Sequence, residues 1–161
     1  MNGIPLLFTF RDRIVGMGFN AVVTSYGRVL GVVEGDRDIW IYGVEPGALA
    51  ASGTDPKEAL EEFRQTFTKV LRDFAAEAHS FAEFEEATQR FFAGVNVPNE
   101  QAWLLAVDAV RAGTLVLDKM PQEPAESRRF VQVIEEIEEG VGDGRLNFAV
   151  TGSEITSALA A

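Results

Sequence analysis

The chain has 161 residues, 47% of them hydrophobic, which excludes intrinsic disorder and lets one domain bury about 70% of its unfolded surface. It has no cysteine, which removes thiol catalysis, disulfides and cysteine-ligated zinc, and suits a reducing, cytoplasmic setting. Twenty-five acidic residues against 14 basic ones give a net charge of −11, a balance that repels phosphate backbones unless a local basic patch gathers, and that either serves solubility or attracts a basic protein partner. Arg128-Arg129 is the only adjacent basic pair, so nucleic acid is not an expected partner. The first residues, Met1 to Phe8, show no signal peptide, and no window approaches the roughly 20 apolar residues of a membrane span.

Residues 4–44 read as strands. Leu6, Phe8 and Phe10 alternate with Leu7, Thr9 and Arg11, a period of two. Residues 19–25 are rich in β-branched side chains and run to Tyr26-Gly27, a turn signal. Residues 28–34 follow, then the turn Gly35-Asp36-Arg37, then residues 38–44. Such short connections join antiparallel neighbours and predict a meander. Ile39 and Ile41 point to one face, Trp40 and Tyr42 to the other, so both faces need cover or a partner.

Pro46-Gly47 ends this strand, and Ser52-Gly53 is a second flexible point. Asp55-Pro56-Lys57-Glu58 is a helix start. Proline keeps Asp55 extended, as an N-cap needs, and Glu58 completes a capping box. Leu60, Phe63, Phe67, Val70, Leu71 and Phe74 then share one stripe. Ser80-Phe81-Ala82-Glu83 is a second capping box, opening a helix with Phe84, Ala87 and Phe91 that stops at Gly94. Pro98-Asn99 precedes a third helix with Trp103, Leu104, Val107 and Val110, stopped at Gly113.

The apolar run 114–118 predicts a short strand, and 120–124 a connector. Phe130, Val133, Ile134 and Ile137 fit helical spacing over 126–139, with a strand as the alternative because of their β-branched content. A loop at 140–144, a strand at 146–151 and a short final helix capped by Ser153 complete the chain.

Chemical motifs are few. His79, the one histidine, sits between two helices without an evident acid–base partner. There is no Gly-x-Ser-x-Gly elbow and no P-loop. The glycines of 140–144 follow an acidic segment, lack a lysine and read as a flexible turn. Asp12, Glu34, Asp36, Asp38 and Glu45 fall at strand ends or turns. They are solvated there or, if they converge, form the acids of a metal-dependent nuclease. Glu135-Glu136 and Glu138-Glu139 read as the wet face of a helix. The twelve phenylalanines fall at core spacing, which points to packing rather than base stacking.

Pro46-Gly47, Ser52-Gly53, the cap residue Asp55 and Glu58-Ala59-Leu60 carry a family pattern. Over roughly residues 19–78 the chain resembles the HicB-like antitoxins. Asp55 stands where that family most often has threonine, and Ala48 where it often has cysteine. The resemblance implies a truncated RNase H-like β-β-β-α fold that binds a small basic HicA-type toxin ribonuclease and covers its active site. It also implies an operator-binding domain in many members. Residues 145–151 begin like a ribbon strand, but the two helices of such a domain do not fit before Ala161.

The expected architecture is α+β: an antiparallel meander of three or four strands packed by a long amphipathic helix, with a mostly helical second half. Residues 1–78 form the β-β-β-α unit, and 79–161 a helical extension on the same core. The expected function is non-enzymatic protein binding, without cofactor or metal. Contacts are expected at Trp40, Tyr42, Glu45, Pro46, Gly47, Ser52 and Gly53, and exposed strand edges favour homo-oligomers. The alternatives are a divergent RNase H-like nuclease, or a self-associating module with a small-ligand pocket between the sheet and the later helices.

Overall fold

The structure, a computed structural model, describes residues 3–117, 120–127, 129–137 and 154–161. Its elements are β1 (Ile4–Val15), β2 (Asn20–Glu34), β3 (Asp38–Glu45), β4 (Ala50–Gly53), α1 (Pro56–Glu77), α2 (Phe81–Ala93), α3 (Val97–Arg111), β5 (Gln122–Glu123), β6 (Phe130–Glu136) and β7 (Glu154–Ala160). The fold is α+β, and β1 to β4 pair in chain order as an antiparallel meander. The sheet is larger than the sequence suggests. Seven strands join in the order β4-β3-β2-β1-β7-β5, with β6 on β2 off that path. The β5–β7 pair is parallel; the other pairings are antiparallel.

β2 is the spine. It runs as one strand through Tyr26-Gly27, where the sequence predicts a turn. One edge pairs with β1 from Asn20 to Gly31. The other is shared end to end: β6 takes Asn20 to Tyr26, and β3 takes Arg28 to Glu34. Gly27 lies at that junction for lack of room, since a Cβ there would run into the Glu45 carbonyl and the Phe8 ring.

The second half is less helical than expected. Residues 130–136 are strand, because β-branched side chains suit a pleated surface and the vacant edge of β2 supplies the ladder. Residues 154–160, expected as a final helix, are β7, paired with β1. The run 114–117 is not a strand: the Thr114 and Leu115 amides both donate to the Ala109 carbonyl, at 3.0 and 3.1 Å, closing the end of α3. α3 begins at Val97, ahead of Pro98, with Asn96 as its cap. Leu104, expected inside, is 50% exposed because the buried stripe runs through Trp103, Ala106 and Val107. The readings at 140–144 and 146–151 lie outside the described residues.

α1 and α2 close one face. Alternation sends Leu6, Phe8, Phe10 and Ile14 of β1 to that side, against Phe63, Phe67 and Leu71 of α1. Phe8 meets Phe63 edge-on at 5.5 Å, Phe10 meets Phe67 at 4.4 Å, and Phe19 meets Phe84 at 5.4 Å. Each buried ring contributes about 1.5–3 kcal/mol. α1 starts at the predicted cap. Asp55 accepts the Glu58 N–H at 2.9 Å, and Glu58 accepts the N–H and hydroxyl of Thr54 at 2.7 Å. Those bonds from Thr54 hold the Glu58 carboxyl below the usual carboxylate range.

α3 packs on the other face, where Trp103, Ala106 and Val107 meet Leu7, Leu30, Val32 and Val44. Late strands complete both layers: Val133 and Leu159 join the core under α1, and Ala160 joins the one under α3.

Candidate functional site

The sheet ends at β4. Ala50 to Gly53 pair with β3 on one side, and among the described residues nothing pairs with the other side. Trp40 and Tyr42, one register step of two apart on β3, stack at 5.7 Å with planes 12° apart. Trp40 pairs with Ser52, and Tyr42 with Ala50. Ser52 is exposed, while Trp40 and Tyr42 are half-buried. The turn at 35–37 returns the chain so that Glu34 lies near Tyr42, whose hydroxyl donates to Glu34 Oε1 at 2.6 Å. That bond, then burial, then the Glu34 charge raise the phenol pKa above its ordinary value. Gly53 presses on α1, where a Cβ would lie 2.5 Å from the Ala59 nitrogen.

Glu45, Pro46 and Gly47 serve the chain itself. The Gly47 N–H donates to the Gly94 carbonyl at 2.7 Å, and the Asn96 N–H to the Val44 carbonyl at 3.0 Å, so the α2–α3 loop is seated on this turn. Pro46 is buried, and a Cβ on Gly47 would collide with the Asn96 backbone. Glu45 accepts from Arg28 at 2.9 Å, and Arg129 approaches it at 3.4 Å. Arg28 also reaches Glu100 at 2.5 Å and lies 5.3 Å from the Trp103 ring centroid, with its side chain only 4% exposed. Sequence reasoning names Glu45 but misses Arg28, Glu100 and Arg129. The available signal is an arginine placed two residues before Leu30 on the face that Leu30 and Val32 bury.

The carboxylates expected at strand ends do not meet. Asp12 lies within β1 on the α1 side, buried. It accepts the Thr68 hydroxyl at 2.7 Å and the Arg13 N–H at 2.8 Å, with Arg64 at 3.8 Å. It pairs with Val23, and Glu34 lies eleven residues further along β2, about 36 Å at strand rise. Asp36 and Asp38 are exposed at the turn, and Glu45 is held by arginines. Among the described residues no three His, Asp or Glu side chains are placed to hold a metal ion. The convergence that the nuclease reading requires is missing. His79 is exposed, and its backbone N–H donates to Glu83 at 2.7 Å, part of the α2 start.

A groove of about 540 Å³ opens between α3 and the same end of the sheet. Its floor is Leu30 and Val32 of β2 with Tyr42 of β3, and Ala102, Ala106 and Ala109 of α3 form one wall. Glu34 and Asn99 also line it, and Leu105 and Leu115 border it. Trp103 fills the space next to the groove: its buried indole donates to the Leu6 carbonyl at 3.3 Å, with Arg28 against its ring, and beside it the short Ala102, Ala106 and Ala109 leave the groove open.

No family model matches the chain, and no curated protein or solved structure matches it either. Among the described residues no helix is long and apolar enough to cross a membrane.

Proposed function

We propose that this chain is a non-catalytic interaction protein, resembling the HicB-like antitoxins, that holds a basic protein such as a HicA-type toxin ribonuclease along the β4 edge. The observation that carries this reading is the side of β4 that no strand pairs among the described residues, with the Trp40–Tyr42 stack beside it. Glu34, Asp36, Asp38, Asp55 and Glu58 cluster in sequence and register around that end, against Arg37 and Lys57. A partner segment laid on β4 gains main-chain hydrogen bonds, the aromatic pair anchors it, and the acidic rim selects for positive charge. Trp40, Tyr42 and Ser52 are the contact residues. Glu45, Pro46, Gly47 and Gly53 hold that edge in position.

The test is a titration against the purified product of the reading frame beside the gene, read by tryptophan fluorescence and by protection of RNA from cleavage. Binding with RNA protected is expected, weakened about tenfold or more by Trp40→Ala or Ser52→Lys. A neighbour that is neither basic nor bound, or binding indifferent to both substitutions, sinks the reading.

The outer edge of β6, seven residues paired only with β2 among those described, is the surface we assign to self-association. Sedimentation at rising concentration should show a dimer; a monomer throughout removes this assignment.

A further inference from the structure

We propose that the groove under α3 binds a small apolar molecule carrying an ammonium group. This site is separate from the β4 edge, although Tyr42 and Glu34 border both, and it does not depend on the antitoxin reading.

The groove has the size of a ligand site. Its volume of about 540 Å³ falls within the range of roughly 300–1,000 Å³ seen for small-molecule pockets. Its wall is a stripe of alanines, Ala102, Ala106 and Ala109, next to the bulk of Trp103 with Arg28 against its ring. Leu105 is 72% exposed at the lip, apolar surface that an occupant would cover.

The polar lining decides the class of ligand. Glu34 is the single charged residue among those that line the groove. The neighbouring polar groups spend donors on the protein. The Tyr42 hydroxyl donates to Glu34, the Thr114 hydroxyl to the Ala109 carbonyl at 3.0 Å, and the Asn99 amide to the Gly43 carbonyl at 2.9 Å. What remains for a ligand is mostly acceptors, with the second Asn99 N–H the one donor over, beside one carboxylate, which suits an ammonium and repels a carboxylate or phosphate. A lysine side chain from a protein partner fills only a fraction of the volume, so the apolar body belongs to a small molecule.

The test uses three matched probes on the intact chain: phenylbutylamine, phenylbutanol and phenylbutyrate. Thermal unfolding is followed at rising concentration, and NMR maps the perturbed amides. The amine should raise the melting temperature and perturb residues 30–34 and 99–109. The alcohol should act more weakly, and the acid not at all. Glu34→Gln should weaken the amine about tenfold, the scale of one charge-assisted hydrogen bond. Ala106→Leu should abolish the amine's effect by filling the groove. Should Ala106→Leu fail to fold, Glu34→Gln, at a half-buried strand end, carries the test alone. Equal shifts from all three probes, no shift from the amine, perturbation elsewhere, or an amine indifferent to Glu34→Gln would each overturn the proposal. None of these outcomes bears on binding at β4, which the toxin titration reads separately.

Discussion

Under α1 the sheet meets phenylalanine rings that interlock with its own. Under α3 it meets one tryptophan, one stacked arginine and a row of alanines. The first side has Phe8, Phe10, Phe63, Phe67 and Phe84 at 2% exposure or less. The second has a groove of about 540 Å³ beside its core. The polar groups differ in the same way. Asp12 on the α1 side is met by Thr68, Arg13 and Arg64, so its charge is settled within the fold. Glu34 on the α3 side has one tyrosine and faces the groove. One face is therefore packed with rings throughout, and the other keeps an open groove beside its own core.

The largest way to break this comparison is Phe67→Ala, which should cost about 3–5 kcal/mol in urea unfolding, because this α1 ring is wholly buried between Phe10 of β1 and Phe91 of α2. Arg28→Ala should cost somewhat less, about 2–3 kcal/mol, by removing charged hydrogen bonds from part-exposed Glu45, which keeps Arg129, and from part-exposed Glu100. If Arg28→Ala were neutral, Arg28 would not anchor α3 through Glu100 and Trp103 as described. Asp12→Ala should cost less, about 1–3 kcal/mol, from the Thr68 hydroxyl left buried and unpaired. Asp55→Ala should cost about 1 kcal/mol by removing the α1 cap.

The smallest effect is a pH dependence. Glu58 has a folded pKa below its unfolded value, so its contribution is present above the unfolded pKa and fades as pH falls through the folded one. Stability measured from neutral to acid pH should fall slightly less in Glu58→Gln than in the parent. An identical acid limb would mean that the Thr54 bonds do not bias the carboxyl.

α1 was legible because its whole recipe is local: Asp55, Pro56 and Glu58 adjoin the phenylalanine stripe they introduce. The α2 start was legible for the same reason, through Ser80 and Glu83. Gly27 misled because a glycine beside tyrosine signals a turn, whereas the reason for it, the Glu45 carbonyl, lies far along the chain. β6 and β7 misled because short β-branched or alanine-rich runs take their state from an available edge, here those of β2 and β1. Trp40 and Tyr42 were legible as a two-sided strand. The groove beside them was legible only as an alternative, a pocket between the sheet and the later helices; its lining was not, since which alanines of α3 face Leu30, Val32 and Tyr42 depends on the packing of Trp103.

The central claim is that the face under α1 is full and the face under α3 is not. Adding volume to each side tests it most directly, by urea unfolding of Ala75→Leu and Ala106→Leu side by side. Ala75 is wholly buried in the α1 core, and Ala106 borders the groove. Ala75→Leu should destabilise by about 1–3 kcal/mol through overpacking, while Ala106→Leu should be neutral or stabilising. Equal losses at both positions would contradict the account.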